Sequence, residues 1–318
     1  MLRLTSVEIC AGGGGQALGL EQAGFDHLAL VEIDAKACET LRHNRPQWHV
    51  VEGDLHDFSG YGYRGVDLLA GGIPCPPFSK AGKQLGQRDE RDLFPQVLRL
   101  VDEMRPRAVM IENVRGLLDA VFDDYRQSIE LQLSKLGYVV GWRLLNASDY
   151  GVSQLRPRVV MVALQDTLIE YFSWPKPHAT PPATVGDLLY DLMAANDWLG
   201  VDAWRQQANT IAPTLVGGSK KHGGPDLGPT RAKAAWRALG VDGHGLWDEA
   251  PPRDFVGMPR LTTRMTARIQ GFPDSWQFVG KKTAAYRQIG NAFPPPVAQA
   301  VGLELAEALR APMLFKVR

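Results

Sequence analysis

Short runs rich in Val, Ile and Leu alternate with longer amphipathic stretches through the first half of the chain. Val7-Glu8-Ile9, LALVEID ending at Asp34, HVVEGD ending at Asp54, VDLLAGG from Val66 and AVMIENV from Ala108 read as buried strands. Between them GQALGLEQAG and AKACETLRHN carry apolar residues at helical spacing. DLFPQVLRLVDEM does the same, with Pro95 near the start of the helix, where the missing N–H removes no intrahelical bond. Strands alternating with helices predict an α/β fold built on a parallel sheet. VVGWRLLNA and VVMVAL follow in close succession and predict an antiparallel edge that completes the sheet near Leu164.

Beyond Leu164 the pattern breaks. SWPKPHATPPAT is dense in proline and GGSKKHGGPDLGP in glycine, which predicts a linker followed by a smaller, irregular unit. PPPVAQAVGLELAEALR then opens on prolines and continues as an amphipathic helix able to return to the first unit. The expected division is 1–170 plus 285–318 for one domain and 171–284 for the other.

Composition changes this picture little. The 318 residues, 45% of them apolar, suffice for a sizeable core. The start MLRLTSVEIC lacks the features of a signal peptide, and no run is long and apolar enough to span a bilayer. Cys10, Cys38 and Cys75 are odd in number and irregularly spaced, which argues for a reducing, cytoplasmic setting and against a disulfide scaffold. Net charge is zero, yet Lys220 to Arg287 holds twelve Lys and Arg against six Asp and Glu. That asymmetry suits a segment facing a polyanion, and equally a solvated basic surface.

Candidate chemistry sits at the strand ends. Cys10, Ala11, Gly12, Gly13, Gly14 and Gly15 end the first strand in a glycine loop, where backbone turns tightly and a ligand can approach closely. Glu32 closes the second strand, where a carboxylate can accept from ribose hydroxyls, and Asp54 closes the third, within reach of an adenine amino group. Dinucleotide enzymes share these features. Gly71-Gly72-Ile73-Pro74-Cys75-Pro76-Pro77-Phe78-Ser79 is sharper: prolines fix the backbone on both sides of a thiol presented at the end of the fourth strand. Ile111-Glu112-Asn113-Val114 and Gln154-Leu155-Arg156-Pro157-Arg158 supply an acid and two guanidiniums at neighbouring strand ends.

ICAGGGG, PCPPFS, ENV, QLRPR, RLTTRMTARIQGFP and YRQIGNAFPPPVA occur in the order of the motifs of the DNA cytosine-5 methyltransferase family, and the resemblance covers Val7 to about Leu305. It implies a doubly wound, mostly parallel, Rossmann-like sheet of the class I S-adenosylmethionine-dependent methyltransferases, with a smaller target-recognition domain. It implies methyl transfer from S-adenosylmethionine to carbon 5 of cytosine in duplex DNA by base flipping and a transient Cys75 adduct, with double-stranded DNA as partner, and with Glu112, Arg156 and Arg158 as the other catalytic residues. Cofactor binding falls on Cys10, Ala11, Gly12, Gly14, Gly15, Glu32, Asp54, Pro74 and Asn291, with Arg287 and Gln288 joining the two domains. The family usually has Phe where this chain has Cys10, which puts a contact to the adenine in doubt. Ser79 to Asp92, including Lys83 and Gln84, resembles the family's loop that closes over flipped DNA. Further DNA contacts are expected from Lys220, Lys221, Arg231, Lys233 and Arg237. No metal is implied; a monomer is expected, cytoplasmic and nucleoid-associated when bound to DNA, either as a bacterial restriction-modification enzyme with a cognate endonuclease acting on the same site or as an orphan enzyme without one.

Three rival readings share parts of this pattern. A nucleotide-dependent oxidoreductase would explain the glycine loop and Glu32 but leaves ENV, QLRPR and the C-terminal motif without a role. A non-catalytic DNA-binding homologue is disfavoured by the intact Cys75, Glu112 and Arg158. The tRNA-methylating branch of the family is disfavoured by the length and basicity of the recognition region.

Overall fold

The computed structural model describes residues 3–74, 92–218 and 224–315, the side chains only as far as 312 in the last segment. Seven strands among them form one sheet in the order β3-β2-β1-β4-β5-β7-β6. Strands β1 (Leu4–Ile9), β2 (Phe25–Glu32), β3 (Val50–Glu52), β4 (Leu68–Gly72) and β5 (Ala108–Val114) run parallel. The edge forecast from the sequence is present: β7 (Pro157–Gln165) lies antiparallel between β5 and β6 (Tyr138–Asn146). From β1 the chain moves outward through β2 to β3, then returns to place β4 on the other side of β1. This reversal leaves a crevice beyond the carboxyl ends of β1 and β4, the position where open α/β sheets bind ligands.

Helices cover both faces. Val7, Ile9, Leu69, Val109 and Ile111 pack under Val97, Leu100 and Val101 of α3 (Phe94–Met104) and Ile129 and Leu133 of α4 (Asp123–Lys135). Leu4, Leu68, Ala70, Met110, Val160 and Val162 point the other way, toward Val297, Val301 and Leu305 of α10 (Pro295–Phe315). Two-residue alternation therefore sends Glu8, Gly72 and Glu112 to the face that carries α10. That face also carries α1 (Gly15–Gln22), while α2 (Ala35–Asn44) follows β2 and is capped by the Asp34 carboxylate at the Lys36 N–H, 2.9 Å away. Close approach of α1 to the α10 segment depends on glycine: a Cβ at Gly15 would lie 2.3 Å from the Phe293 carbonyl oxygen.

The region expected to be irregular is more ordered than its sequence suggests. It holds α5 (Val185–Met193), α6 (Val201–Gln207), α7 (Thr230–Ala238) and α8 (Thr263–Ile269), followed by α9 (Lys282–Asn291). These short helices gather around Trp198, Trp204, Trp236, Met265 and Tyr286, so large aromatics rather than long periodic stretches build this part of the core. Among the described residues no helix is long and apolar enough to cross a membrane.

Candidate active site

A cleft of about 660 Å³ opens at the carboxyl ends of the parallel strands, within the range of small-molecule and cofactor sites. At one end Glu32 is fixed by backbone: its Oε2 accepts from the Gly12 N–H at 2.7 Å and its Oε1 from the Asp34 N–H at 2.7 Å. Burial pushes the Glu32 carboxyl upward, and these N–H bonds oppose the shift. Each oxygen retains acceptor capacity for a ligand. Nearby, Asp54 Oδ1 accepts from the His56 N–H and lies 2.7 Å from His56 Nδ1, contacts that hold its carboxyl below the usual range. Cys10, at φ 52°, also lines the cleft; burial and the charges of Glu32 and Asp54 push its thiol far upward, so it is a neutral, apolar wall where the resemblance leads one to expect Phe. Ile33, 64% exposed, and Leu55 add apolar surface there.

The other end is built by β4, β5 and β7. Glu112 pairs across the sheet with Val160, and Arg158 stands two residues back on the same face, so register alone brings the two side chains together. Arg158 Nε lies 2.8 Å from Glu112 Oε1; Glu112 is buried and Arg158 partly so. Burial raises the Glu112 carboxyl pKa, opposed by the nearby Arg158 and Arg156 charges. Ile73 and Pro74, the last described residues before Cys75, line the same cleft as Glu112 and Arg158.

Ala11, Gly12, Gly15 and Asn291, assigned to cofactor binding from the sequence, line the cleft, and so do Arg287 and Gln288, which were expected to join the two domains. Two assignments need correction. Gly14 is absent from the lining; it is the left-handed N-cap of α1, and a Cβ there would meet Trp276 and Leu41. Arg156 is wholly buried and directed elsewhere, donating to the carbonyls of Leu215 (2.8 Å), Gly290 (2.7 Å) and Ala292 (3.0 Å). It ties three chain segments together and is a positioning residue. Gln154 assists: its Oε1 accepts from the Leu215 N–H and its Nε2 donates to Gln270 Oε1.

In the basic segment 220–287, five cations pair with acids of the same segment, so these pairs leave its excess of positive charge in place. Lys233 pairs with Asp226, Arg260 with Asp242, Arg264 and Arg268 with Asp274, and Lys282 with Asp248. Arg231 and Arg237, on α7, make no ion pair among the described residues. Cys75, Ser79, Lys83, Gln84, Lys220 and Lys221 lie outside the described residues. The sequence did not single out Glu8, Gln16, Ile33, Leu55, His56 or Phe293, all of which line the cleft. Only the strand alternation of Glu8 and the first-turn position of Gln16 in α1 hinted at them.

A sheet of this order with a cleft across its switch point defines the class I methyltransferase fold. A DNMT2 variant structure from Spodoptera frugiperda shares it, with a TM-score of 0.65 and 19% identity over 96% of this chain and 99% of that one. The profile described as C-5 cytosine-specific DNA methylase matches residues 4–307, and the chain belongs to that family. It is similar to the Type II methyltransferase M.NgoMIV of Neisseria gonorrhoeae, at 57% identity over 97% of this chain and 99% of the relative. It is also similar to the Type II methyltransferase M.NaeI of Lentzea aerocolonigenes, at 58% identity over 97% of this chain and 76% of the relative. The protein is a DNA cytosine-5 methyltransferase, and membership implies S-adenosylmethionine as methyl donor.

Proposed function

We propose that this enzyme methylates cytosine carbon 5 within a fixed site of duplex DNA, with Cys75 as nucleophile, Glu112 as proton donor and Arg158 as the ligand of the base. The observation that carries this reading is the Glu112–Arg158 pair at 2.8 Å, in a cleft whose wall includes Pro74, one peptide bond from Cys75. Glu32, with both oxygens oriented by N–H groups, suits the ribose hydroxyls of the donor, and Asp54 Oδ2, which makes no hydrogen bond among the described residues, suits the adenine amino group. S-adenosylmethionine supplies an electrophilic methyl group beside the base.

Cytosine carbon 5 is a poor nucleophile while the ring keeps its conjugation. The Cys75 thiolate forms a bond to carbon 6, pushing the electron pair of the 5,6 double bond into the ring. A protonated Glu112 donates to ring nitrogen 3 and so stabilises that charge, a role for which burial prepares it by favouring the neutral carboxyl. Arg158 neutralises the carbonyl oxygen of the ring and also holds Glu112 in place. Carbon 5, now electron-rich, bonds to the methyl carbon as the methyl–sulfur bond breaks, its electron pair staying with the sulfur, which leaves as a neutral thioether. The carbon 5 proton then passes to solvent, its electron pair restores the double bond and expels Cys75 as thiolate, and nitrogen 3 returns its proton to Glu112. The base must leave the stack to reach this site, at a cost of roughly a few kcal/mol.

The residues 171–284 form the proposed target-recognition domain, and 1–170 with 285–318 the catalytic one. Because the relatives named above are Type II methyltransferases, the modified site is proposed to be one that a cognate endonuclease cuts, placing the enzyme on chromosomal DNA in the cytoplasm. The test is bisulfite sequencing of plasmid from cells expressing the chain, together with a duplex carrying 5-fluorocytosine at the site so found. The wild type forms an adduct that survives denaturation, and Cys75→Ala forms none. Methylation confined to tRNA, or an undiminished adduct with Cys75→Ala, refutes the proposal.

A further inference from the structure

Gln16 is a polar side chain without a visible purpose. It stands in the first turn of α1, is 4% exposed and lines the cleft, and neither its Oε1 nor its Nε2 has a hydrogen-bond partner among the described residues. An enclosed amide with both atoms unpaired offers the cleft a donor and an acceptor that a bound ligand can complete. Its place in the cleft shows which part of a ligand it meets. A Cβ built on Gly72 would lie 4.0 Å from Gln16 Oε1 and 3.1 Å from Glu112 Oε2, which sets the amide beside the end of β4, toward Glu112. Glu32 and Asp54 stand at the ends of β2 and β3, on the opposite side of β1.

With adenosine at Glu32 and Asp54, the part of the donor left for the glycine-loop and β4 end is the sulfur and its α-amino-acid tail. That tail is a zwitterion and needs an acceptor for its ammonium and a donor for its carboxylate. A glutamine amide offers both on one side chain. We propose that Gln16 binds the α-amino-acid tail of the methyl donor, and so selects the complete cofactor over nucleosides that lack the tail. This rests on the cofactor placement proposed above.

The test compares two ligands by titration calorimetry. S-adenosylhomocysteine carries adenosine, thioether and tail; 5′-methylthioadenosine carries the first two only. Gln16→Met keeps the length of the side chain and removes both polar atoms. Hydrogen bonds to charged groups predict that Gln16→Met binds S-adenosylhomocysteine roughly ten- to hundredfold more weakly. Its affinity for 5′-methylthioadenosine stays within about twofold of wild type, which also shows that the variant is folded. Gln16→Glu, which keeps the acceptor and loses the donor, discriminates in the same direction. Equal losses for both ligands, or no loss for either, overturn the role of Gln16. Failure of the wild type to bind either ligand overturns the cofactor placement itself, whereas loss of 5′-methylthioadenosine binding in Glu32→Ala upholds that placement whatever Gln16 does.

Discussion

Replacing Arg156 by Met tests whether this arginine of the QLRPR segment is a strut. The guanidinium donates to the carbonyls of Leu215, Gly290 and Ala292, all within 3.0 Å. In Arg156→Met, Ala292 O keeps a second donor, Gln270 Nε2, whereas Leu215 O and Gly290 O lose the bonds that Arg156 supplies. Each orphaned acceptor costs about 1–3 kcal/mol. Removing a buried cation returns part of this, because burial already disfavours the charged guanidinium. The balance is a loss of roughly 2–4 kcal/mol, a large share of a stability of about 5–15 kcal/mol. Urea unfolding followed by tryptophan fluorescence measures it, and a variant within about 0.5 kcal/mol of wild type refutes the strut. A second signature separates this role from direct catalysis. Arg156 lowers the Glu112 pKa from a distance, so the folded variant should show the alkaline limb of its methyl-transfer profile at higher pH, with methyl transfer retained.

Three further outcomes follow from the same geometry. Because burial raises the Glu112 carboxyl, the protonated form needed for donation persists below that raised pKa and is lost as pH rises through it, so kcat/KM should fall on the alkaline side; Glu112→Gln should remove that limb and lower the rate by roughly 10²–10⁴-fold. Glu8, fully enclosed with Oε2 unpartnered, has a carboxyl pushed well upward by burial. Its folded state holds the proton more tightly than the unfolded chain, so its contribution is complete below the ordinary carboxylate range and lost as pH rises through the raised value. Thermal melts should therefore show Glu8→Gln more stable than wild type at pH 8, with the two converging near pH 4; a difference independent of pH would contradict this. Gly15→Ala should destabilise by about 1–3 kcal/mol in urea, since its Cβ would press on the Phe293 carbonyl oxygen, and a neutral result would mean that α1 can move away from the α10 segment freely.

Short apolar strands and their terminal residues were legible along the chain because each is a local signal. Val7 to Ile9 and Ala108 to Val114 carry their own burial pattern, and Glu32, Asp54 and Glu112 announce themselves by closing apolar runs. The local Gly71–Ser79 pattern pointed to a presented thiol, and the ordered motifs added the nucleophilic role proposed for Cys75. Tertiary structure decided what depends on residues far apart in sequence. Arg156 and Arg158 look alike in QLRPR, yet strand pairing aims Arg158 at Glu112 while Arg156 reaches Gly290 O, 134 positions away. Gly14 and Gly15 look alike in the glycine loop, yet Trp276 packs on one and Phe293 approaches the other, beside the cleft. Gln16 acquires meaning only from the enclosure that α10 and the end of β4 create around α1, because whether an amide lacks a partner is a property of everything packed about it.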